Sequence, residues 1–332
     1  MLITVSGKDI KQAFSAIAPL IKKSETSNSV AIGYEDNILY ITIDAGIRYQ
    51  KEIAVKSVID PVTTTLTVWF KDISDFIYAR SDVNIEINNL SVSISTDDFS
   101  TNLLVSDAII TRLTSRGGER RDIDLDLLEM SVKKLLSTSA VSRALQVTKP
   151  IVFDMDYAYM KFTTIWIKCK SSGLKSILSV EYAKNIIDFQ PEYVYVSDVL
   201  EFHREDAMLV VPNNVSSDER DFDNIVETTK HITTIPTEQI FGILQKLSRA
   251  LGNATAKVYV YEGGLEFAVS TPTSKVSKKI NATGEVKTSF EAPLEFLLVC
   301  FNLIGDLGID IRRKDGLICL RNNILTILLS VA

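Results

Sequence analysis

Histidines, cysteines and paired carboxylates are the side chains most often used for acid–base, nucleophilic or metal chemistry, and this chain has few in useful spacings. His203 and His231 are its only histidines; neither has a cysteine, histidine or carboxylate at metal-ligand spacing, and His203 in "EFHRED" is predicted to be a turn residue. Cys169, Cys300 and Cys319 lie in apolar runs without CxxC spacing, which predicts reduced thiols in a core. These residue types therefore predict no catalytic, metal or cofactor site.

Closely spaced aspartates are also better explained by structure than by chemistry. Asp154 and Asp156 in "FDMDY" are predicted to share one face of a strand, but no other functional group converges on them. Asp122, Asp124 and Asp126 in "RDIDLD" lack the glycine and closing glutamate of a calcium loop, and their alternation with apolar residues predicts a half-exposed strand. The chain also lacks GxxxxGK[ST], GxGxxG and GxSxG, so an enzyme is not expected.

Length and composition predict a compact protein of several domains. The chain has 332 residues, of which 46% are hydrophobic, and only 14 glycines and 8 prolines. It contains no uninterrupted apolar run of the roughly 20 residues that cross a membrane, so we expect a soluble, cytoplasmic protein. The net charge of −6 argues against a simple nucleic-acid-binding surface.

The chain repeats one phrase. "ITVSGKDIKQAF" (3–14) and "LTVWFKDISDFI" (66–77) both give a short alternating run, then Lys-Asp-Ile, then apolar residues at helical spacing. The first buried helix residue is predicted to recur at intervals of 54 to 63 residues, which indicates six repeated units. These positions are Ile10, Ile73, Leu128, Ala183, Ile240 and Leu294.

Each helix is followed by alternating segments with turn signals, as in "VNIEINNLSVSISTDDF" and "KVYVYEGGLEFAVS". Each unit is therefore predicted to be a β-α-β-β-β module, although the third, "IVFDMDYAYMKFTTIWIKCKSS", has no clear glycine turn. The polar stretches 114–126 and 212–224 follow the second and fourth modules and are predicted to be loops, which places domains at 1–113, 114–218 and 219–332. We expect helices on one side and sheet on the other, with neighbouring domains joined at their sheet edges.

This pattern resembles the bacterial-type DNA polymerase sliding clamp, the beta subunit of the replicative polymerase. "TEQIFGILQKLSRALGNATAKVYVYEGGLEFAVSTP" and "VKTSFEAPLEFLLVCFNLIG" resemble the two helix-containing segments of that family's third domain, and "LVVPNN" resembles its joining segment. The resemblance implies an α+β DNA clamp fold with three similar domains, and a homodimeric ring whose helices line the inside. The chain is shorter than typical bacterial members, so a divergent bacterial or phage-encoded clamp is expected, acting in a bacterial cytoplasm or nucleoid or in an infected host cell.

The charge of the predicted helices agrees with a ring around DNA. Helices are predicted at 9–23, 71–80, 127–147, 181–189, 237–251 and 292–304, and they carry eleven basic residues against eight acidic ones. A sequence-independent contact uses such cations on phosphates, although ordinary solvated helix faces remain an alternative, and the last helix carries no basic residue. The predicted DNA-binding residues are Lys11, Lys22, Lys23, Lys71, Arg80, Lys133, Lys134, Arg143, Lys184, Lys246 and Arg249.

The resemblance also implies a partner site. Clients of the resembling family insert a short apolar peptide into a cleft between the second and third domains. Carried over by position, the cleft residues are Thr164, Ile165, Trp166, Pro212, Leu294, Leu328 and Leu329. The segments "FTTIWIK" and "ILLSVA" depart from the family's loop and terminus, and ordinary core packing is the alternative for Trp166 and Leu294.

The sequence thus predicts a non-enzymatic processivity factor. Its expected partners are double-stranded DNA, a DNA polymerase, a clamp loader and a second copy of the chain. A clamp-like scaffold for transcription or repair proteins, not itself loaded on DNA, is the first alternative. A β-rich structural protein of a virion is the second.

Overall fold

The computed structural model describes residues 1–21, 29–44, 46–69, 81–88, 90–97, 99–137, 149–214, 220–235, 237–251, 254–270, 275–284, 287–304 and 308–331. The helices are α1 (Gly7–Ile21), α2 (Leu125–Leu136), α3 (Val180–Phe189), α4 (Arg220–Glu227), α5 (Thr237–Leu251) and α6 (Leu294–Ile304). The strands are β1 (Leu2–Val5), β2 (Ser29–Glu35), β3 (Ile38–Asp44), β4 (Arg48–Ile59), β5 (Thr64–Trp69), β6 (Val83–Ile87), β7 (Ser91–Ser95), β8 (Ser100–Leu104), β9 (Glu119–Asp122), β10 (Ile151–Lys161), β11 (Ile165–Leu178), β12 (Tyr193–Val196), β13 (Val199–Arg204), β14 (Ala207–Pro212), β15 (Lys230–Ile235), β16 (Thr255–Tyr261), β17 (Gly264–Ser270), β18 (Lys275–Asn281), β19 (Thr283–Gly284), β20 (Thr288–Pro293), β21 (Ile309–Lys314), β22 (Leu317–Arg321) and β23 (Leu325–Ser330). Among these described helices, none combines the length and apolar character needed to cross a membrane.

The predicted module order is present along most of the chain. Modules one, five and six are β1-α1-β2-β3-β4, β15-α5-β16-β17-β18 and β20-α6-β21-β22-β23. The second module has β5 and the strands β6 to β8, while its predicted helix at 71–80 lies outside the described residues. The fourth module opens with the end of β11 and continues through α3 to β12, β13 and β14.

The third module departs from the prediction. After α2 the described residues contain two long antiparallel strands, β10 and β11, instead of three shorter ones. Their register shifts between Met155 and Tyr157, and Met155 has a φ of 55°. This bulge leaves Asp156 without a cross-strand partner, so the prediction that Asp154 and Asp156 share a regular strand face is wrong.

Helix α2 shows how local sequence sets an element on the sheet. The Oδ1 atom of Asp124 accepts a hydrogen bond from the backbone N–H of Leu127 at 3.0 Å, which satisfies one free donor of the first turn. The half-exposed strand predicted through 122–126 is therefore wrong beyond Asp122, where β9 ends. Buried Leu128, Val132 and Leu135 follow at helical spacing and pack against β10 and β11. The helix predicted at 127–147 is confirmed as far as Leu136, and 138–148 lie outside the described residues.

Sheets are joined edge to edge, as the sequence predicts. Strand β14 pairs with β4, which makes part of a 12-stranded sheet, and β11 pairs with β23 inside a 7-stranded sheet. A third sheet has four strands in the order β18-β17-β16-β20. Pairing of this kind removes unpaired strand edges from solvent.

The chain forms two compact units. Unit 1 contains Met1–Ile123 and Lys184–Asn213, and unit 2 contains Asp124–Ala183 and Asn214–Ala332. The 12-stranded sheet belongs to unit 1, and the other two sheets belong to unit 2. The division into three domains at 113/114 and 218/219 stays a prediction.

Helix α4 begins within the polar stretch at 212–224, for which the sequence predicts a loop, and ends beyond it at Glu227. Its residues "RDFDNIVE" place Phe222 and Val226 four residues apart, and both side chains are buried. The apolar face of this short helix packs on the 7-stranded sheet of unit 2. That packing stabilises the helix although most of its residues are polar. The loop predicted over 220–224 is therefore wrong.

Candidate functional site

Four of the predicted DNA-binding cations lie on exposed helix faces. They are Lys11 on α1, Lys184 on α3, and Lys246 and Arg249 on α5. Within the part of the chain that the structure describes, these four cations have no ion-pair partner. Solvated, unpaired cations are available to phosphates, and their contact with DNA stays a prediction.

Lys133 and Lys134 of α2 already have protein partners. The ammonium of Lys133 pairs with Glu129 one turn earlier. The ammonium of Lys134 donates a hydrogen bond of 2.9 Å to the carbonyl oxygen of Leu303, in the last turn of α6. Cations favour the carbonyl end of a helix because its last carbonyls lack intrahelical donors. Lys134 thus fastens α2 to α6 within unit 2.

The remaining predicted DNA-binding residues cannot be placed on a helix face. Lys22, Lys23, Lys71, Arg80 and Arg143 lie outside the described residues. Helix α6 carries no basic residue, and seven of its 11 residues are buried. This helix therefore packs into unit 2 rather than presenting a charged face.

Most of the predicted partner cleft lies on the adjoining strands β11 and β23. Ile165 is opposite Leu329 and Trp166 is opposite Leu328, so residues from distant parts of the sequence are direct neighbours. The carbonyl of Thr164 accepts a hydrogen bond of 2.9 Å from the backbone at the end of β23. Five of the seven predicted residues are thereby brought together in unit 2.

Little of that group is accessible. Ile165, Leu294, Leu328 and Leu329 are each at most 3% exposed, because they pack against the chain's own residues, whereas Trp166 is half-buried. Pro212 is exposed at the end of β14 in unit 1, where it pairs with Val199. A role for these seven residues in client binding stays a prediction.

Trp166 is covered by side chains that no sequence motif indicated. Phe222 of α4 stacks on its indole, with ring centroids 6.1 Å apart and 20° between the ring planes. The ammonium of Lys161 lies 3.5 Å from the centroid of the same indole, and Tyr159 meets Phe222 edge-on at 5.8 Å. We call this packed group the aromatic cluster: Tyr159, Trp166, Phe222, Val226, Cys319 and Leu328.

The residues of α4 and β11 that were not predicted to form this site do show weak signals in the sequence. Phe222, Ile225 and Val226 have the i, i+3, i+4 spacing of one helix face, hidden by the polar residues around them. Lys168 interrupts an apolar run, and its side chain is 11% exposed because its ammonium reaches Asp223 of α4 at 2.5 Å. A buried lysine of this kind requires a charged partner, which the sequence alone did not identify.

Two of the strands that end a sheet carry distinctive side chains. Strand β8 ends the 12-stranded sheet and β18 ends the 4-stranded sheet. Leu104 on β8 is 68% exposed, which is unusual for an apolar strand residue. β18 carries three exposed lysines, and two exposed aspartates, Asp97 and Asp107, flank β8. The lysines of β18 are Lys275, Lys278 and Lys279.

The histidines and cysteines have structural roles. His203 lies in β13, not in a turn as predicted, and its ring stacks on Tyr193 with centroids 5.0 Å apart. Burial lowers the pKa of His203, while Glu201 opposes that shift. The Nδ1 atom of His231 lies 2.5 Å from Asp310, a partner that sequence spacing did not reveal. In the described residues, no group of three or more metal-ligating side chains is present.

The three cysteines are buried and free, as predicted. Burial raises the pKa of Cys169 and Cys300 to about 12 and that of Cys319 to about 11. Their thiols are therefore protonated near neutral pH and belong to the core.

Neither a protein-family model nor a curated protein sequence matches this chain. Solved structures do match it over its whole length. A putative DNA polymerase III beta subunit from Eubacterium rectale has a TM-score of 0.81 at 10% identity, with 100% of this chain and 99% of that chain covered. The DNA polymerase sliding clamp from Caulobacter crescentus has a TM-score of 0.81 at 13% identity, with the same coverage.

A third similar structure contains a bound partner. It is the Helicobacter pylori beta clamp bound to a DNA ligase peptide, with a TM-score of 0.73, 16% identity and 100% of both chains covered. At such identities the likeness concerns the fold. The α+β clamp fold implied by the sequence resemblance is thereby confirmed.

Proposed function

With the sliding-clamp fold as premise, we propose that this chain is a DNA sliding clamp. It is a non-enzymatic processivity factor that encircles duplex DNA and holds a replicative DNA polymerase on its template. The observation that carries the proposal is the match in fold along the whole of this chain and nearly the whole of several bacterial clamps. A likeness confined to one module would not support a ring.

The helix cations support a weak, sequence-independent DNA contact. Four helix cations are exposed and unpaired in the described structure: Lys11, Lys184, Lys246 and Arg249. Each can contact a phosphate, and phosphate contacts carry no sequence information. Few such contacts give a salt-sensitive attraction that permits sliding. Retention on DNA then comes from closure of the ring, and an overall charge of −6 disfavours strong non-specific binding of DNA by the rest of the chain.

Ring closure requires a second copy, and the edge strands β8 and β18 support a homodimer. Joining β8 of one copy to β18 of another is a heterologous contact that can close into a ring. The exposed Leu104 adds apolar area, and the lysines of β18 complement the aspartates that flank β8. A closed ring needs a clamp loader to open it around DNA.

Client proteins are proposed to bind around Trp166, on the face of the 7-stranded sheet opposite α2, which we call the outer face. The Helicobacter pylori clamp, whose structure holds a DNA ligase peptide, shows that a protein of this fold accepts a short peptide. In this chain Trp166 is half-buried beside apolar Leu328 and Phe222, which suits an apolar peptide residue. We place the protein in the cytoplasm of a bacterium or of an infected host cell, where replication takes place.

Retention on DNA tests the proposal. The clamp would be loaded by a bacterial clamp loader and ATP onto a nicked circular plasmid, and bound protein would be counted after gel filtration. Topological holding predicts retention on the circle and loss within minutes after the plasmid is linearised. If the protein never stays on circular DNA although a known clamp is loaded in parallel, the scaffold alternative is favoured.

The helix cations are tested by a matched pair of variants. Lys11→Gln, Lys184→Gln and Lys246→Gln together remove three exposed helix charges, whereas Lys175→Gln, Lys230→Gln and Lys287→Gln remove three exposed charges outside the helices. We expect the helix variant to bind DNA several-fold more weakly and to show a shallower salt dependence, by about 0.9 in log–log slope for each phosphate that is no longer neutralised. Polymerase stimulation should fall with it. Equal behaviour of the two variants would place the DNA contact elsewhere.

A further inference from the structure

One face of the 7-stranded sheet in unit 2 carries an unusual number of cations. Helix α2 covers the other face, where Ser131 contacts Ser171 and Cys169. On the opposite face, cross-strand pairing places Lys168 beside Thr326 and Thr326 beside Arg321, in one row across three strands. Lys170 follows two residues further along β11. Lysine and arginine side chains therefore gather on the sheet face that α4 partly covers.

A cavity of about 650 Å³ opens on this face beside α4. Lys170 and Arg321 form part of its basic wall, and Asp223 and Glu227 form an acidic wall on α4. Phe222 and Val226, which belong to the aromatic cluster, also line the cavity, so it is continuous with the proposed client site. A ligand in the cavity can therefore touch charged and apolar groups at once.

The cations of the cavity differ in their availability. The ammonium of Lys168 is 2.5 Å from Asp223 and 3.8 Å from the centroid of the Tyr157 ring, so its charge is compensated inside the protein. Lys170 and Arg321 are exposed, and neither has an ion-pair partner among the residues that the structure describes. Two uncompensated cations on one side of a concave site favour an anionic group there.

The anionic group is better matched by a carboxylate of a peptide than by nucleic acid. Asp223 and Glu227 repel a polyphosphate chain, which carries many charges along its length. A single carboxylate can instead bind on the side of Lys170 and Arg321. Base stacking would need free aromatic faces, but Lys168 lies over Tyr157, and Lys161 and Phe222 cover Trp166. These covered faces argue against a single-stranded nucleic acid.

We propose that the cavity binds the carboxylate of an Asp or Glu residue in a client peptide, between Lys170 and Arg321. The apolar residue next to that carboxylate lies against the apolar lining of the cavity, at Val226 and the half-buried Ile324. The inference rests on the proposed function, because it names a chemical class of client for the same outer face. Arg321 supplies a planar fork for the carboxylate, and Lys170 supplies a point charge.

The fluorescence of Trp166 can test this directly. The chain has two tryptophans, so Trp69→Phe leaves Trp166 as the only one, and this variant serves as the parent protein. The probes are two capped peptides, acetyl-Leu-Gly-Phe-Glu-amide and acetyl-Leu-Gly-Phe-Gln-amide. We expect the Glu peptide to bind roughly tenfold more tightly than the Gln peptide, because its hydrogen bonds are charge-assisted.

Replacement of both cations supplies the decisive comparison. Lys170→Gln with Arg321→Gln should abolish the preference for Glu and leave affinity for the Gln peptide unchanged. Lys175→Gln with Lys230→Gln, which removes two exposed cations that do not line the cavity, should keep the preference. Equal binding of both peptides by the parent, or no binding of either at millimolar concentration, overturns the inference.

Two further measurements separate this inference from its competitors. Binding of a (dT)10 oligonucleotide at the cavity, abolished in the Lys170 and Arg321 variant, would overturn the peptide proposal in favour of nucleic acid. Retention on circular DNA is measured separately, on the parent protein and without either peptide. A clamp that is retained but shows no Glu preference refutes only the cavity inference, and a Glu preference without retention refutes only the sliding-clamp function.

Discussion

At the scale of single residues, the face of the 7-stranded sheet opposite α2 is organised by side chains that compensate one another. Lys168 is held by Asp223 and by the Tyr157 ring, and the indole of Trp166 contacts both Phe222 and Lys161. Buried charge needs a partner and a buried ring needs close packing, so each of these groups depends on its neighbour. The face is therefore preformed in the absence of any client.

Phe222 is the residue whose removal should change this face most. Phe222→Ala deletes a ring that is 1% exposed and leaves a cavity beside Trp166, which should lower the free energy of unfolding by about 3–5 kcal/mol. The uncovered indole of Trp166 should also become more accessible to acrylamide quenching in the Trp69→Phe background. Urea denaturation and fluorescence quenching measure the two effects.

A matched phenylalanine makes the comparison specific. Phe99 is 42% exposed, so Phe99→Ala should cost less than about 1 kcal/mol and leave the quenching of Trp166 unchanged. Similar destabilisation in both variants would show that Phe222 does not hold the aromatic cluster together.

At the scale of elements, polar interactions at helix ends fix the first turn of α2 and the contact between α2 and α6. Asp124 begins α2 by accepting the Leu127 N–H, and Lys134 near the end of α2 binds the last turn of α6. These polar interactions fix the ends of helices whose middles are held by apolar packing.

Two adjacent lysines on α2 provide a test with a built-in control. Lys134→Met removes the charged hydrogen bond to the Leu303 carbonyl and should lower the free energy of unfolding by about 1–2 kcal/mol. Lys133 is 69% exposed and pairs with Glu129 on the surface, so Lys133→Met should cost no more than about 0.5 kcal/mol. Denaturation midpoints in urea measure both losses of stability. A larger loss in Lys133→Met than in Lys134→Met would contradict the structural role given to Lys134.

At the scale of the whole molecule, the proposed ring depends on β8 and β18, each of which ends its sheet. Unpaired strand edges are ready to pair with another chain, and proteins that stay monomeric usually protect them. Here β8 exposes Leu104 instead of a charge. This makes self-association through the edge the expected behaviour.

Leu104→Lys should weaken that association. A lysine at this position faces the three exposed lysines of β18, so like charges meet in the proposed contact, and we expect a dimer at least about tenfold weaker. Light scattering should give about twice the chain mass of 36.9 kDa for the parent and a value near the chain mass for the variant at low micromolar concentration. Val62→Lys, at an exposed residue of the β4–β5 loop, should leave the mass unchanged. A parent that is itself monomeric would contradict the ring.

The sequence alone determined the repeated elements, because periodicity and turn residues act over short distances. Period-two alternation predicted most strands, and apolar surroundings predicted the buried cysteines. Helical spacing predicted α1, α3, α5 and α6 to within two residues at each described end, and the predicted end of α1 at 22–23 lies outside the described residues. The resemblance based on these patterns led to the clamp fold that the solved structures confirm.

Only the tertiary structure decided which distant residues became neighbours. The pairing of Trp166 with Leu328, the stacking of Phe222 on Trp166 and the ion pair of Lys168 with Asp223 depend on strand register and on where a short helix docks. Helix α4 itself was missed because its eight residues are too few to be stable alone and are helical through packing on the sheet. Local patterns encode which face of an element is buried, whereas the neighbours of each element are set by the free energy of packing the whole unit.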